Sequence, residues 1–181
     1  MASKVYTKKG DKGNTLVMGT RVRVPKCHPR IEAVGSIDEL NSYVGMVRSF
    51  DFSETEIEVE TVLKQIQNDL FTIGARLADV RNDSNKINID VTILENSMDT
   101  MSKSLEPLKN FILPTGSQTI CYCHLSRTVC RRAERNLVKL SKTDDVDADI
   151  LGYINRLSDY FFVLARYLGS EYNIPETIWK K

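Results

Sequence analysis

From residue 30 onward, apolar side chains recur at three- and four-residue steps in one stretch after another, a spacing that predicts helix. Ile31, Val34, Ile37, Leu40, Val44 and Val47 form the first stripe, so residues 30–50 read as an amphipathic helix. Ser53 and Glu56 have the spacing of a capping box and open a second helix. Its stripe runs through Val59, Val62, Leu63, Ile66, Leu70, Ile73 and Leu77 and ends near Asp79. The polar run 81–88 is a loop, after which Thr92 and Glu95 repeat the capping signature. Leu94, Met98, Met101 and Leu105 mark the third helix, and Pro107 with segment 109–116 interrupts the pattern. A fourth helix is expected over 117–142, with Ile120, Cys123, Cys130, Leu137 and Leu140 inside. The fifth spans 147–169 on Ile150, Leu151, Ile154, Leu157, Phe161, Leu164 and Leu168. Five helices with short connections predict an all-α, five-helix antiparallel bundle of the up-down kind.

A chain of 181 residues suits one domain. It divides into an irregular N-terminal arm (1–29), the bundle (30–169) and a C-terminal tail (170–181). Nine glycines and five prolines are too few for a sandwich of many short strands. The formal net charge of +1 gives no global field to attract nucleic acid or an acidic membrane, so any anion site must be a local cluster. Three of the four cysteines, Cys121, Cys123 and Cys130, share one helical stretch and point apart; with Cys27 they read as reduced thiols. A metal site at Cys121, Cys123 and His124 lacks a fourth ligand. No stretch reaches the roughly 18 apolar residues of a membrane span. The first motif begins almost at Met1, leaving no room for a presequence, and the expected compartment is the cytoplasm.

Four segments break the amphipathic pattern. The first is Thr7, Lys8, Lys9, Gly10, Asp11, Lys12, Gly13, Asn14 and Thr15. Two glycines let backbone N–H groups converge on phosphate oxygens, and three lysines add charge. It lacks the Walker A spacing, so a solvated turn and a phosphate loop both stay open. The second is Arg127, Arg131, Arg132, Glu134 and Arg135 on the fourth helix. Positions 127, 131 and 135 put three guanidiniums along one side. Such forks suit phosphate or carboxylate, although an exposed basic face has the same pattern. The third is Asn155 with Asp159, a polar pair at i, i+4 beside an apolar stripe, either an interhelical hydrogen bond or a ligand contact. The fourth is the apolar loop 110–117 around Phe111, packed back on the bundle by default or presented to a flat apolar ligand.

In this order the segments resemble the ATP:cob(I)alamin adenosyltransferases of the propanediol-utilisation type. The matching stretches are 6–15, 33–41 (AVGSIDELN), 111–117, 126–136 and 155–166; residues 51–106 match only as amphipathic helix. Thr115 stands where the family often has glycine. The resemblance implies a ferritin-like bundle forming a homotrimer, with active sites between neighbouring subunits. It implies that Thr7, Lys8, Lys9, Gly10, Asp11, Gly13 and Thr15 surround the triphosphate of ATP, with Lys26 as a further cation. Arg131, Arg132, Glu134 and Arg135 would meet phosphates and sugar, and Asn155 the nucleotide. Asp38 would pair with Arg127 across the subunit boundary. Phe111 would crowd the lower face of the corrin, which makes Arg131 and Phe111 the catalytic candidates.

The implied reaction transfers the 5′-deoxyadenosyl group of ATP to the Co(I) of cobalamin, releasing triphosphate. Mg²⁺ would arrive on the ATP phosphates, with no protein metal site of its own. Co(I) is already a strong nucleophile, and the only histidines, His28 and His124, sit near no plausible triad. A corrinoid reductase and an adenosylcobalamin-dependent enzyme are the expected partners, with no nucleic acid and no membrane. The alternative is a non-catalytic corrinoid or nucleotide carrier on the same bundle. A di-iron bundle would need Glu-x-x-His motifs that neither histidine supplies.

Overall fold

The computed structural model describes residues 4, 6–53, 55, 58–79 and 87–180. Five helices carry the fold: α1 (Pro29–Arg48), α2 (Val59–Ala78), α3 (Thr92–Ser102), α4 (Gln118–Leu140) and α5 (Ala148–Glu171). Their predicted stripes form one continuous core, from Leu40 and Val44 on α1 through Leu63, Ile66 and Leu70 on α2 to Leu137, Leu157, Phe161 and Leu164.

Cross-helix contacts fix the directions. Arg30, at the start of α1, donates to the carbonyl of Leu77 at the end of α2 (2.8 Å) and to Asp144 just past α4 (2.5 Å). Phe50, past the end of α1, packs on Tyr122 in the first turns of α4, with ring centroids 5.8 Å apart. Gly169 near the end of α5 lies against Ile120 at the start of α4. Arg156 of α5 pairs with Glu95 in the first turn of α3, and Arg166, further along α5, donates to the carbonyl of Glu106 past α3. The helices therefore alternate up and down in chain order, with the starts of α1, α3 and α5 at one end. A buried polar bridge crosses the core: the Tyr153 hydroxyl of α5 donates to Asp69 of α2 (2.8 Å), which also accepts from Gln65 (2.9 Å).

Boundaries depart from the sequence reading in three places. The second helix begins at Val59 rather than at Ser53, because the Asp51 carboxylate takes the Ser53 N–H (2.9 Å) in a turn that buries Phe52. Glu56, the other half of the expected box, lies outside the described residues, as do positions 81–86 of the expected loop. The third helix starts at Thr92, but Asp90 accepts from its N–H (2.9 Å) and its hydroxyl (2.6 Å), while Glu95 faces Arg156. The arm is not irregular throughout. Antiparallel strands β1 (Asn14–Leu16) and β2 (Arg23–Pro25) pair in it, with Gly19 at φ 81 in the intervening turn. Val17 is buried, and Met18 bridges to Asp79, so the hairpin is pinned to the end of the bundle where α1 begins.

Burial raises the Asp144 carboxyl pKa, but hydrogen bonds from Arg30 and Thr143 and the Arg30 charge outweigh it and hold the group below its ordinary value. A depressed carboxyl stabilises the fold above its unfolded pKa, and that contribution is lost as pH falls through the folded value. Asp144→Asn is expected to cost on the order of 1 kcal/mol near pH 7. The difference from the parent should shrink below about pH 4; urea unfolding across that range measures both.

Candidate active site

Two chemically different surfaces stand at opposite ends of the bundle. At the end where α1 begins, the loop of residues 7–15 folds against the hairpin. Lys8 (φ 59) and Gly13 (φ 78) both take the left-handed conformation that bends the loop, and the Gly13 N–H donates to the Gly10 carbonyl (3.2 Å). The Lys26 N–H donates to the Gly13 carbonyl (2.9 Å). Its ammonium lies over Gly10, 3.4 Å from where a side chain there would start. The structure thus brings Lys26 into the loop and groups it with Thr7, Lys8, Lys9, Asp11 and Thr15. Arg23, which the sequence reading did not single out, donates to the carbonyls of Lys9 and Asn14 (2.8 Å to Asn14) and fixes the loop's curvature. Its only sequence signal is the alternation Arg21, Arg23 on a strand too short to be recognised.

At the other end, a cavity of about 910 Å³ opens between the 108–114 loop, the first half of α4, Phe162 of α5 and Trp179. Phe111 is 80% exposed at its mouth, and the edge of one ring meets the face of the other where it packs on Trp179, centroids 6.3 Å apart. Packing was the default expectation for this loop. The structure instead buries only part of Ile112 and leaves Phe111 presented. His124 and Arg127 of α4, with Lys109 and Asn110 of the loop, are the polar residues of the cavity wall. Burial, then the Arg127 charge, push the His124 pKa down to about 4, so the imidazole is neutral at physiological pH. Burial and Arg131 lower the Arg127 pKa in turn, and its Nε is buried without a partner among the described residues.

Arg131 and Arg135 continue from Arg127 along α4 at one-turn spacing, both exposed. The basic face therefore begins inside the aromatic cavity. Arg132 points elsewhere, toward Glu39 of α1 (2.5 Å), beside a hollow of about 250 Å³ lined by both helices. Glu134 accepts from Asn155 of α5 (2.8 Å), an exposed contact that ties these two candidates together, while Asp159 turns to Arg156. Asp38 is exposed on α1, and no side-chain partner meets it among the described residues. Burial pushes the Cys123 and Cys130 thiols far up, so neither is a thiolate nucleophile. Among the described residues no three His, Cys, Asp or Glu side chains converge as a metal site, and no helix is long and apolar enough to cross a membrane.

The loop and the cavity are separated by the whole of α1, whose 20 residues span about 30 Å at 1.5 Å per residue. Within one chain they do not meet.

NMR titration of the His124 ring is expected to show a neutral imidazole from pH 8 to about 5, with a midpoint near 4. A histidine held below its unfolded pKa opposes folding once the unfolded form protonates. Stability is therefore lost as pH falls from about 6.5 toward the folded value, and His124→Leu should remove that share of the acid sensitivity.

Comparison with known proteins agrees over nearly the full length. The cobalamin adenosyltransferase family model matches residues 5–168. The corrinoid adenosyltransferase of Bacillus subtilis (strain 168) is 39% identical, over 98% of this chain and 93% of that protein. The corrinoid adenosyltransferase MMAB of Homo sapiens is 37% identical, over 98% of this chain and 74% of that one. Among solved structures, a variant PduO-type ATP:corrinoid adenosyltransferase from Lactobacillus reuteri, complexed with cobalamin and ATP, superposes with a TM-score of 0.90. It is 37% identical, covering 98% of this chain and 100% of its own. By family model, relatives and fold alike, the chain belongs to the cobalamin adenosyltransferases.

Proposed function

We propose that this protein transfers the 5′-deoxyadenosyl group of ATP to the Co(I) of a reduced corrinoid, giving adenosylcobalamin and triphosphate. The observation that carries this reading is the continuity of α4. Arg127 lines the aromatic cavity, and Arg131 and Arg135 lead out of it one turn at a time. A flat apolar substrate at Phe111 and a polyanion along the arginines would share one helix. Their reacting ends would then be adjacent.

The electron pair on Co(I) forms a bond to C5′ of ATP as the C5′–O bond breaks, and that bond's electrons leave with the triphosphate. No protein nucleophile is required, so the residues act by positioning and by charge. Arg131 meets the departing charge, and Arg135 extends the anion site along the same side of α4; Arg132, held by Glu39 on another side of the helix, would reach the nucleotide only by leaving that pair. The Asn155–Glu134 pair, already hydrogen-bonded, orients toward the nucleotide. Magnesium carried on the phosphates would supply further neutralisation; Asp11 and the hydroxyls of Thr7 and Thr15 are the hard oxygen donors in reach of it.

The second half of the triphosphate grip comes from another copy. The loop formed by Thr7 to Gly10, Asp11, Gly13, Thr15 and Lys26 lies about 30 Å from the cavity of its own chain. The free Asp38 and the partly buried Arg127 are the two halves of an ion pair between subunits. A head-to-tail ring satisfies both, and three subunits is the closure we assign. Arm, bundle and tail then act as one domain, in the cytoplasm, receiving electrons through a corrinoid reductase and passing product to an adenosylcobalamin-dependent enzyme. Phe111 would press on the lower face of the corrin, excluding water and the nucleotide base, so that Co(II) loses its axial ligand and becomes easier to reduce.

Protein, ATP, Mg²⁺ and reduced cobalamin mixed without oxygen should give the spectrum of a light-sensitive adenosyl product. No product with several reduced corrinoids would remove the reading. Arg131→Ala is expected to cost about 2–4 kcal/mol of transition-state stabilisation, measured as kcat/KM with both substrates varied; an unchanged value argues against its role. Phe111→Ala should slow the reaction from cob(II)alamin with reductant far more than the reaction from pre-reduced cob(I)alamin.

A further inference from the structure

Phe111 sits on a loop, and a wedge works only if its loop is held. Past α5 the chain reverses at Asn173, which takes the left-handed conformation (φ 53), and the Ile174 N–H returns to the Gly169 carbonyl (2.8 Å). The tail then runs antiparallel beside the wedge loop. The Leu113 N–H donates to the Thr177 carbonyl and the Trp179 N–H to the Phe111 carbonyl, both at 2.8 Å, with Ile112 opposite Ile178. Trp179 places its ring against Phe111. Both strands of this small clasp begin next to one side chain of α5. Arg166 Nε donates to the Glu176 carboxylate (2.6 Å), and its Nη2 donates to the backbone carbonyl of Glu106 (2.7 Å). The Arg166 side chain is only 11% exposed, which strengthens both contacts over those of a surface pair.

From this we infer that Arg166 and Glu176 are positioning residues for Phe111, a staple that sets the wedge by clamping the tail and the wedge loop to α5. The inference rests on the wedge role proposed above. Arginine suits the task because its rigid fork serves two acceptors at once, one on each strand, whereas a lysine serves them only as a point charge. Neither residue touches the cavity interior, so the staple acts through the placement of Phe111 and Trp179. Displacement of the wedge by about 1 Å is enough to cost a large factor in rate. That cost falls on the step in which the lower ligand of Co(II) is excluded, and transfer from Co(I) is spared.

The test assays the full chain with Mg-ATP from two starting points, cob(II)alamin with a reductant and pre-reduced cob(I)alamin, beside electron paramagnetic resonance of the Co(II) complex. Arg166→Met should slow the first reaction at least about tenfold and the second by no more than about threefold, with a matching loss of the four-coordinate Co(II) signal. Glu176→Gln, which keeps the shape and removes the charge, should show the same split at smaller size, and Arg166→Lys should fall between Arg166→Met and the parent. Equal slowing from both starting points with an unchanged Co(II) signal overturns the staple. If Arg166→Met fails to fold, Glu176→Gln decides by the same criterion. Phe111→Ala, run in parallel, separates the two readings. A split there without one in the staple variants sinks the staple alone, and no split in Phe111→Ala sinks the wedge with it.

Discussion

A helix bundle is stiff along its axis, and that stiffness is what the rest of this molecule depends on. The 20 residues of α1 keep the basic glycine loop and the aromatic cavity at opposite ends. Buried residues of all five helices form one close-packed core between those ends. In the reading proposed above, a second copy of the chain brings the two surfaces together. The interhelical ties reinforce this separation. Arg30 binds the end that carries the loop, and Arg166 binds the end that carries Phe111.

Electrostatics divide the labour in the same way. The chain as a whole is nearly neutral, so any anion site must be built from position. Arg127, Arg131 and Arg135 repel one another along α4, a cost offset when a polyanion lies against them. Arg132 and Glu134 are taken up by Glu39 and Asn155, which leaves Arg131 and Arg135 as exposed guanidiniums on that stripe. The cavity wall carries Lys109 and Arg127 beside its aromatic residues. His124 is neutral and Arg127 is partly desolvated, so the α4 side of that wall is less polar than its residue types imply.

Much of the fold was legible because helix periodicity is a local signal: the stripes of α1, α4 and α5 appear with their ends nearly in place. The errors came from competition between local hydrogen bonds. Asp51 and Asp90 took the N–H groups of Ser53 and Thr92, which a capping-box reading gives to the carboxylates of Glu56 and Glu95, and nothing in the spacing alone ranks one acceptor over the other. The hairpin was hidden because three-residue strands carry too few alternations to register. The candidate site was legible in part. The guanidinium stripe and Phe111 announced themselves by breaking the amphipathic pattern. Arg23, Arg166, Glu176 and Trp179 did not, since each acts through backbone carbonyls or a partner distant in sequence.

A transfer site assembled from the loop of one chain and the arginine stripe of another can be checked by mixing two inactive variants. One variant would carry a disabled loop, such as Lys8→Ala with Gly13→Val, and the other Arg131→Ala. Each should be nearly inactive alone. After subunit exchange at equal amounts, random pairing around a head-to-tail ring gives about one site in four an intact loop opposite an intact Arg131. About that share of the parent's adenosyl transfer should return. No recovery, with exchange verified by mass, would contradict a shared site.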